Sequence, residues 1–588
     1  MSAVSIEALE PFVLLETPET LRVFRRQLEA APVSCADDLE RLLGPDTAYR
    51  VVAFDYELGH SIEPRSGDCA SGAVGTVWRF AECDEIPLAE CDAYIERHVA
   101  VLPADARAAA VADLAIGLDE AAYVAGVARI QRWIADGDCY QVNYSFPLHL
   151  RTIGHPLALY AALRRRQRGL WSACILTAER RILSCSPELF VAKRGDELAC
   201  RPMKGTRPRS ADAARDAGNR AELDAAEKDR AENVMIVDLL RNDLGRVAVP
   251  GSVRVDRLFE VESYPTVHQL VSSIRAKAPG RRMPEIVRAL FPCGSITGAP
   301  KLRAMQIIGA LETAPRGIYT GAIGCLMPDD DFTLNVAIRT LDLEAGGRAR
   351  LGVGSGIVAD SVPADEYREC LLKGEFATGL PAPFSLIETL RLENGALPRL
   401  AGHLARLADS ARRLGFRYPA YEISAALQAR AAENPLGVFR LRLLLAPSGS
   451  VSTTVQPFVP LGDDRRITLA DGRLDSADWG LRFKTTRRAR YDEALRRLPP
   501  EVFDTVFLNE RDELCEGARS NLFLLIEGRL LTPAVDCGLL PGVLRAELLA
   551  SGRAAEAVLG LDDLRRAEAI YAGNALRGLV SVTLATDS

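Results

Sequence analysis

The sequence predicts a mixed fold of helices and strands in two successive units. Strand-like runs such as GIYTGAIGCLMP (317–328) and RARLGVGSGIV (348–358) alternate with helical patterns such as APKLRAMQIIGALET (299–313). This alternation is typical of an α+β or α/β unit with many strands. Residues 376–383 (FATGLPAP) then combine a glycine with two prolines, and the strand-like FSLIETLRL follows, so we place a unit boundary near residue 380.

The segment after this boundary predicts a smaller α/β unit. Helical patterns lie near 399–415 and 542–552, and strand-like runs lie near 437–446, 503–509 and 521–532. Because a domain commonly holds roughly 100–200 residues, each unit is long enough to bury a core of its own.

The composition excludes several classes of protein. Of the 588 residues, 48% are hydrophobic and 26% are charged, and the net charge of −7 provides no basic excess for nucleic acid. No apolar run approaches the length of a membrane span and the N-terminus carries acidic residues, so we expect a cytoplasmic protein without membrane or nucleic-acid partners. The 13 cysteines form no C-x-x-C pair and only six histidines accompany them, which indicates neither a zinc site nor a disulfide framework.

Lysine is rare, because only seven of the 72 lysine and arginine residues are lysines. Unlike arginine, a desolvated lysine can lose its proton and then attack carbon or form a Schiff base. Three lysines fall in compact motifs, RPMKGT (201–206), TGAPK (297–301) and RECLLKG (368–374). After residue 375 the sequence contains one lysine, Lys484, so any lysine chemistry in the second unit must use it.

Two glutamates on predicted helices suit a hard cation. Glu232 lies in KDRAENVMIVDLLRND and Glu369 in ADEYRECLLKG. Carboxylates without nearby histidines favour Mg²⁺, which takes oxygen ligands and usually shares them with an anionic substrate. The glycine-rich GVGSGIVAD (352–360), between a strand and the helix of Glu369, offers backbone amides to a carboxylate or phosphate, or else forms a tight turn.

Seven motifs in the first unit resemble, in order, those of the chorismate-binding enzyme family. That family includes anthranilate, aminodeoxychorismate and isochorismate synthases. The resemblance covers about residues 120–375 and implies an α+β fold, with a large antiparallel β/α domain over residues 1–380. The motifs are GDCYQVNYS (137–145), SPELF (186–190), PMKGTRPR (202–209), KDRAENVMIVDLLRNDLGRV (228–247), GSITGAPKLRAM (294–305), YTGAIG (319–324) and GSGIVADSVPADEYREC (354–370).

The resemblance implies a role for three acids of the first unit. Glu232 and Glu369 would hold Mg²⁺, which in turn would grip the ring carboxylate of chorismate. Glu188 in SPELF would be the general acid that protonates the departing C4 hydroxyl, a task for which a buried carboxyl group can keep its proton near neutrality.

The resemblance also implies a binding site for the rest of chorismate. Arg339 and backbone amides around Gly354 and Gly356 would hold the enolpyruvyl carboxylate. The other residues implied to line the site are Thr297, Tyr319, His268 and Lys373. For Tyr319 and His268, packing in the protein core is an equally good explanation.

Two positions distinguish members of the family. Gln141 stands where the isochorismate enzymes resemble one another in having a lysine base, and glutamine fits an enzyme that admits ammonia. Lys204 in PMKGT resembles the lysine of aminodeoxychorismate synthases, whereas anthranilate synthases show alanine there. The Lys204 amine would attack C2, expel the C4 hydroxyl and later be expelled by ammonia arriving at C4. A lysine that only pairs with a substrate carboxylate is the plainer interpretation, and anthranilate or isochorismate synthesis is the alternative activity.

Ammonia requires a source outside the motifs found here. The sequence contains no GxCxGxQ-like elbow, and its six histidines offer no pairing with a cysteine nucleophile. We therefore expect a separate glutamine amidotransferase subunit as partner, with free ammonia as its substitute in vitro.

Five motifs over residues 384–588 resemble those of class IV (fold type IV) pyridoxal-phosphate enzymes. Lys484 in RFKTTRRARYDEA resembles their Schiff-base lysine. Glu516 in ELCEGARSNLFLL resembles the carboxylate that faces the pyridine nitrogen. The residues implied on the phosphate side are Arg406 in HLARL, the amides of Val543 and Leu544 at a helix start, and Asn574 in GNALRG.

The two resemblances together imply a bifunctional enzyme that makes 4-aminobenzoate from chorismate by way of 4-amino-4-deoxychorismate. The shared motifs do not separate a lyase from a branched-chain or D-amino acid transaminase, although Tyr491 lies seven residues beyond Lys484 and departs from a K-x-x-x-x-Y spacing. A regulatory or binding module without activity is the alternative from another class. Fold type IV enzymes commonly dimerise, so a homodimer is expected.

Overall fold

The computed structural model describes residues 12–67, 72–264, 267–461 and 465–585, and confirms a mixed α+β fold. Within these ranges no helix is both long and apolar enough to cross a membrane. The twelve cysteines that they include are all free thiols.

The first unit contains eighteen strands and eleven α-helices among the described residues. Its strands are β1 (Phe12–Glu16), β2 (Thr20–Pro32), β3 (Tyr49–Phe54), β4 (Gly75–Pro87), β5 (Ala110–Ile116), β6 (Gln141–Ile153), β7 (Ala173–Leu176), β8 (Arg181–Ser184), β9 (Leu189–Arg194), β10 (Glu197–Arg201), β11 (Met203–Pro208), β12 (Arg254–Ser263), β13 (Val267–Lys277), β14 (Gly298–Ala299), β15 (Ala322–Leu326), β16 (Phe332–Val336), β17 (Thr340–Leu343) and β18 (Arg348–Ile357). Its helices are α1 (Asp38–Leu42), α2 (Leu58–Ile62), α3 (Cys91–Ala100), α4 (Ala104–Arg107), α5 (Glu120–Ala135), α6 (Pro156–Arg166), α7 (Ala213–Ala225), α8 (Glu227–Gly245), α9 (Met283–Leu290), α10 (Lys301–Leu311) and α11 (Pro363–Thr378).

The second unit contains eleven further strands and five α-helices in the described part of the chain. Its strands are β19 (Leu386–Glu393), β20 (Val438–Leu445), β21 (Val451–Pro457), β22 (Arg466–Leu474), β23 (Val502–Asn509), β24 (Leu514–Gly517), β25 (Asn521–Ile526), β26 (Arg529–Pro533), β27 (Ala555–Ala557), β28 (Ala569–Asn574) and β29 (Gly578–Leu584). Its helices are α12 (Leu400–Leu414), α13 (Ala420–Glu433), α14 (Ala489–Arg497), α15 (Val543–Ala550) and α16 (Leu561–Arg566).

Hydrogen bonds link the strands of the first unit into one extensive antiparallel sheet system. At its centre β6 pairs with β18 over ten residues, and β5 and β14 also pair with β6. Antiparallel pairing brings together strands that are far apart in the sequence, because it is not restricted to chain neighbours. Residues near 141, 298 and 356 therefore become neighbours.

The glycine-rich segment of the first unit lies in strand β18 up to Ile357, as the strand-like run over 348–358 predicts, so only its last three residues lie between a strand and a helix. Gly354 pairs with Ser145 and Gly356 with Asn143 across the β6–β18 ladder. The glycines have no side chain on this sheet face, so Tyr319 packs against Gly352 and Gln141 against Gly356, where a Cβ atom would clash. The strand ends at Ile357, and α11 begins at Pro363.

The second unit combines two sheets. Strands β19, β20 and β21 form an antiparallel three-stranded sheet, and β22 to β29 form a mixed eight-stranded sheet. In the mixed sheet β22 pairs in parallel with β23 and β29, whereas β25 pairs antiparallel with β26 and β28.

The two units share one hydrophobic cluster. Ala110, Ala112 and Ile153 of the first unit pack in the same buried group as Phe384 and Phe483 of the second. Burial of apolar surface across the contact stabilises the joined state.

Polar contacts surround this shared cluster. Asp113 accepts hydrogen bonds from Arg413 Nε (2.7 Å) and Trp479 Nε1 (2.5 Å), both in the second unit. Asp105 lies in the first turn of α4 and reaches α14, where its carboxylate accepts hydrogen bonds from the amides of Ala489 (2.8 Å) and Arg490 (3.2 Å). The first unit thus caps a helix of the second.

Candidate active sites

The first candidate site is centred on Lys204. A register shift between Met203 and Thr206 interrupts the β11–β13 pairing, and Gly205 there has a φ of 82° that favours glycine. Such an irregularity changes the direction of a side chain. Lys204 Nζ lies 3.8 Å from Glu232 Oε2.

Helix α8 explains the position of Glu232. Ile236 and Leu240 are one and two turns further along the helix and are buried in a core cluster. Residues spaced by four share a helix face, so the packing of these two aims Glu232 inward as well.

Glu188 is a buried acid in the same region. It lies between β8 and β9, and its Oε1 accepts a hydrogen bond from Ser295 Oγ at 2.7 Å. Burial raises the pKa of Glu188 to about 7, although the Ser295 hydrogen bond and the charge of Lys204 both act to lower it. A carboxyl group that holds its proton near neutrality is suited to general-acid work.

Gln141 and Gly356 complete the surroundings of Lys204. A Cβ atom at Gly356 would clash with Gln141 Nε2 and stand 3.3 Å from Lys204 Nζ. A glycine at position 356 therefore allows the side chains of Gln141 and Lys204 to lie close to this strand. Gln141 Oε1 is buried and has no hydrogen-bond partner in the described structure, so it can accept a bond from a bound N–H donor.

Tyr319 and Lys373 lie against the next glycine of β18. A Cβ atom at Gly354 would stand 3.0 Å from the Tyr319 hydroxyl. Lys373 Nζ donates to the carbonyl oxygen of Gly354 at 3.0 Å and lies 2.7 Å from Glu369 Oε1. Contacts with Gly354 and Gly356 of β18 thus link the predicted site residues Gln141, Tyr319 and Lys373, and Lys373 in turn contacts Glu369.

Three other predicted residues make structural contacts. The Thr297 hydroxyl donates to Cys293 O at 2.8 Å. His268 Nδ1 contacts Ser263 Oγ (2.8 Å) and its Nε2 contacts Asp216 Oδ1 (3.1 Å). These contacts hold neighbouring segments together and leave the proposed substrate roles of both residues as predictions.

Arg339 also stays a predicted substrate contact. It follows β16 in the left-handed region, with a φ of 50°. Burial lowers the pKa of its guanidinium because burial disfavours the charged form. A bound carboxylate would offset that cost.

The two predicted metal ligands, Glu232 and Glu369, each lie beside a lysine. Among the described residues there is no group of three or more His, Cys, Asp or Glu side chains that could hold a metal ion. Two carboxylates would provide only part of the oxygen shell of Mg²⁺, which fits a cation that shares its ligands with an anionic substrate. The magnesium site stays a prediction.

The second candidate site is a cavity of about 470 Å³ in the second unit. Five of its six predicted cofactor residues line it, although they are spread over 169 positions of the chain. The side chain of the sixth, Leu544, is buried in a core cluster with Phe523 and Leu548, so only its amide is available. The five are Arg406, Lys484, Glu516, Val543 and Asn574.

Lys484 lies in an environment that disfavours its charge. Desolvation, followed by the positive charge of Arg406, lowers the pKa of Lys484 to about 8. Its amine is therefore much more available near neutral pH than that of an ordinary lysine.

A buried glutamate that the sequence analysis missed holds Arg406. Glu388 accepts hydrogen bonds from Arg406 Nη2 (2.6 Å) and Nε (2.9 Å), and it contacts His403 Nδ1 (2.6 Å). Burial alone would raise the pKa of Glu388, but Arg406 and His403 outweigh it and lower that pKa to about 2. The alternation of β19 was a signal, because Glu388 is the acid of that strand that points toward α12.

Glu516 faces the cavity with a hydrogen bond on each oxygen. Tyr491 Oη donates to Oε1 at 2.7 Å, and the amide of Leu540 donates to Oε2 at 3.2 Å. Burial raises the pKa of Glu516 to about 7 in spite of these bonds. Tyr491 was also missed as a site residue, because its spacing from Lys484 was used only for comparison with the K-x-x-x-x-Y pattern.

The donor set of this cavity fits pyridoxal phosphate. Helix α15 begins at Val543 and directs its first amides outward, and Arg406 lies on the same wall, which suits a phosphate group. Lys484 provides an amine, and Glu516 provides an acidic partner for a ring nitrogen.

The folds and sites describe a two-unit protein with a lysine-centred site in each unit. Residues 79–379 match the family model of the chorismate binding enzymes, and residues 385–585 match that of the amino-transferase class IV. The first match covers more than half of the sequence. The chain therefore belongs to the chorismate binding enzyme family, and it also carries a class IV aminotransferase unit, which implies pyridoxal phosphate.

Curated relatives resemble the first unit. Aminodeoxychorismate synthase component 1 of Klebsiella aerogenes is 46% identical over 242 residues, which are 41% of this chain and 53% of that protein. Anthranilate synthase component 1 of Streptomyces coelicolor is 44% identical over 258 residues, which are 44% of this chain and 50% of that protein. The chain thus spans about half the length of either relative.

Solved structures support the fold. A putative 2,3-dihydroxybenzoate-specific isochorismate synthase of Bacillus anthracis, DhbC, is similar with a TM-score of 0.51 at 20% sequence identity. The similarity covers 63% of this chain and 95% of that one. It confirms the chorismate-binding type of fold predicted for the first unit.

Proposed function

We propose that the first unit converts chorismate and ammonia to 4-amino-4-deoxychorismate, and that the second unit converts this compound to 4-aminobenzoate and pyruvate. The observation that carries the proposal is the group formed by Lys204, Glu188, Gln141 and Gly356. It combines an amine, an acid whose pKa burial raises to about 7 and a hydrogen-bond acceptor without a partner in the described structure, close to the glycine of one strand.

The chemistry of the first step follows from this group. The Lys204 amine forms a bond to C2 while the ring double bonds shift and the C4–O bond breaks, and Glu188 supplies the proton with which the hydroxyl leaves as water. Ammonia then bonds to C4, the double bonds shift back and the C2–N bond breaks, which restores the lysine. Gln141 Oε1 would accept a hydrogen bond from the incoming ammonia.

Glu232 and Glu369 would hold Mg²⁺ in this proposal. The cation would orient and neutralise the ring carboxylate when bound. Substrate oxygens would complete the coordination that two protein carboxylates leave open.

The residues of the second unit divide the work of the second step. Arg406 and the first amides of α15 would bind the cofactor phosphate, and Glu516 would form a hydrogen bond with the ring nitrogen of the cofactor. Pyridoxal phosphate, when bound through Lys484, supplies an electron sink. The freed Lys484 amine would take the proton at C4 of the substrate, and that electron pair would form the aromatic bond as the C3–O bond to pyruvate breaks.

We further propose a separate glutamine amidotransferase as the source of ammonia. The relative from Klebsiella aerogenes carries the designation component 1, which supports a second component. A homodimer stays a prediction.

A single reaction tests both steps. The full chain would be supplied with chorismate, ammonium, Mg²⁺ and pyridoxal phosphate, and the aromatic product identified by chromatography against standards. We expect 4-aminobenzoate and pyruvate in equal amounts. Recovery of 4-amino-4-deoxychorismate alone would reject the second step, and absence of both compounds would reject the first.

Anthranilate synthesis is the second candidate for the first unit, because the Streptomyces coelicolor relative is nearly as similar as the Klebsiella aerogenes one. Its product is distinguished in the same assay by fluorescence and retention time. Turnover that depends on a keto acid and an amino acid would instead assign transaminase activity to the second unit.

A further inference from the structure

Three arginines from distant parts of the chain meet in the wall of the second cavity. Arg440 lies on β20, Arg519 lies between β24 and β25, and Arg577 lies in the turn between β28 and β29. All three line the same cavity as Lys484. Their convergence is a property of the fold that no local motif shows.

The three arginines have neutral partners. Arg440 Nη2 donates to Gln456 Oε1, and Arg577 Nη1 donates to the carbonyl oxygen of Val459 at 2.9 Å. The guanidinium of Arg519 lies 5.5 Å from the centre of the Phe503 ring. In the described part of the chain none of the three arginines forms an ion pair with a carboxylate.

Other arginines of the same cavity are neutralised. Arg487 pairs with Asp478 at 2.9 Å and Arg488 with Asp492 at 2.8 Å. The cavity thus contains arginines that pair with a carboxylate of the protein and arginines that remain available to a ligand.

The available arginines repel one another. Burial, followed by the charges of Arg519 and Arg440, lowers the pKa of Arg577. Asp504, a buried acid that interacts electrostatically with Arg519, accepts hydrogen bonds from the hydroxyl of Ser520 at 2.5 Å and from the Arg519 amide at 3.3 Å. The repulsion that Arg519 and Arg440 exert on Arg577 costs free energy that an anionic ligand would recover.

A fourth arginine extends the cluster. Arg442 lies two residues after Arg440, so both project from the same face of β20 into the cavity. Its Nε atom is buried and has no hydrogen-bond partner in the described structure. A buried donor without a partner is rare and points to a group that binds there.

We propose that Arg440, Arg519 and Arg577 form a subsite for the carboxylates of a dianionic substrate whose amine reacts at the Lys484 end of the cavity. The planar guanidinium donates two parallel hydrogen bonds to a carboxylate, which makes arginine suited to this task. The proposal rests on the proposed lyase function and names the part of the cavity that selects a two-carboxylate amine over ordinary monocarboxylate amino acids.

The first test measures the second step alone, from 4-amino-4-deoxychorismate to 4-aminobenzoate, in the full chain. Arg440→Gln, Arg519→Gln and Arg577→Gln should each raise KM by about tenfold or more and change kcat by less than about threefold, because the lost interaction is distant from the reacting bonds. Arg577→Lys should recover part of the loss. Arg565→Gln, on the exposed surface of α16, is the matched control and should leave KM unchanged.

The second test measures binding without turnover, by the change that a ligand causes in the visible absorption of bound pyridoxal phosphate. Isophthalate, with two carboxylates, should bind at least about tenfold more tightly than benzoate, with one, and the three glutamine variants should lose this advantage. Equal binding of the two probes, or unchanged KM in the variants while the wild type makes 4-aminobenzoate, would overturn the subsite. A wild type that binds isophthalate preferentially but does not convert 4-amino-4-deoxychorismate would reject the lyase function and keep the dianion subsite.

Discussion

The two lysine sites differ in the charges that surround the amine. Lys204 lies on an irregular strand beside Glu232 and within the electrostatic influence of the buried acid Glu188. Lys484 lies in a cavity where Arg406 and Arg488 act on it from nearby. The first lysine lies beside acids, whereas the charges that act on the second are those of two arginines and, in opposition to them, of Glu388 and Glu516.

This difference teaches how one residue type serves two kinds of chemistry. Near Lys204, burial raises the pKa of Glu188 to about 7, so the site combines a nucleophile with an acid that can donate a proton near neutral pH. Around Lys484 burial and positive charge favour the neutral amine, which can hold a carbonyl cofactor and later take up a proton.

The largest effect should come from exchanging the two lysines for alanine. Lys204→Ala should reduce formation of 4-amino-4-deoxychorismate by about 10³-fold or more and leave its conversion to 4-aminobenzoate intact, because only the first nucleophile is lost. Lys484→Ala should have the opposite pattern, with the intermediate accumulating. Separate assays of the two steps measure both. Undiminished first-step activity in Lys204→Ala would contradict the covalent role.

The acid of the first site provides the next test. Glu188→Gln should slow the first step by about 10²–10⁴-fold, because the hydroxyl then leaves without a proton donor. The wild-type rate should fall as the pH rises through about 7, where Glu188 loses the proton that it must donate.

Ser295→Ala sharpens this pH test. The Ser295 hydrogen bond stabilises the ionised form of Glu188, so its removal should raise the pKa of Glu188 and move the decline in rate to higher pH. A pH profile of the first step for wild type and variant makes the comparison. An unshifted profile would assign the decline to another group.

The support of Arg406 should have a smaller effect on the second site. Glu388→Gln removes the buried charge that orients Arg406 and should weaken pyridoxal phosphate binding by about tenfold to a hundredfold. Titration of the cofactor by absorbance measures the affinity. Glu393→Gln, at the exposed end of the same strand, should leave it unchanged.

The smallest effect should come from the contact between the units. Asp113→Asn weakens the hydrogen bonds that Arg413 and Trp479 donate, and we expect a loss of about 1–3 kcal/mol in the free energy of unfolding. Thermal unfolding of the full chain measures it, with Asp562→Asn, in an exposed pair, as control. Both sites should keep their activities at 25 °C.

Sequence patterns predicted the residues that carry reactive groups, because those groups occur in compact motifs. Lys204, Glu188, Glu232 and Gln141 do meet in the structure, and five of the six predicted cofactor residues line one cavity. The boundary near residue 380 and the individual roles stay predictions.

The supporting residues escaped prediction for a physical reason. Glu388 and Ser295 act through a partner that folding brings near, so the alternation of β19 and the motif around Ser295 do not show which residue each of them supports. The strand-like run over 348–358 already predicted a strand through Gly354 and Gly356, but only the structure shows that their missing side chains leave room for Tyr319 and Gln141. The arginine cluster likewise depends on three separate loops and strands.

The hydrophobic cluster common to the two units has a consequence for modularity. A chain divided near residue 380 would leave Ala110, Ala112 and Ile153 on one fragment and Phe384 and Phe483 on the other, each facing water. Neither half is therefore an interchangeable part, and a substitute taken from a free-standing protein would need its contact surface rebuilt before it could replace either one.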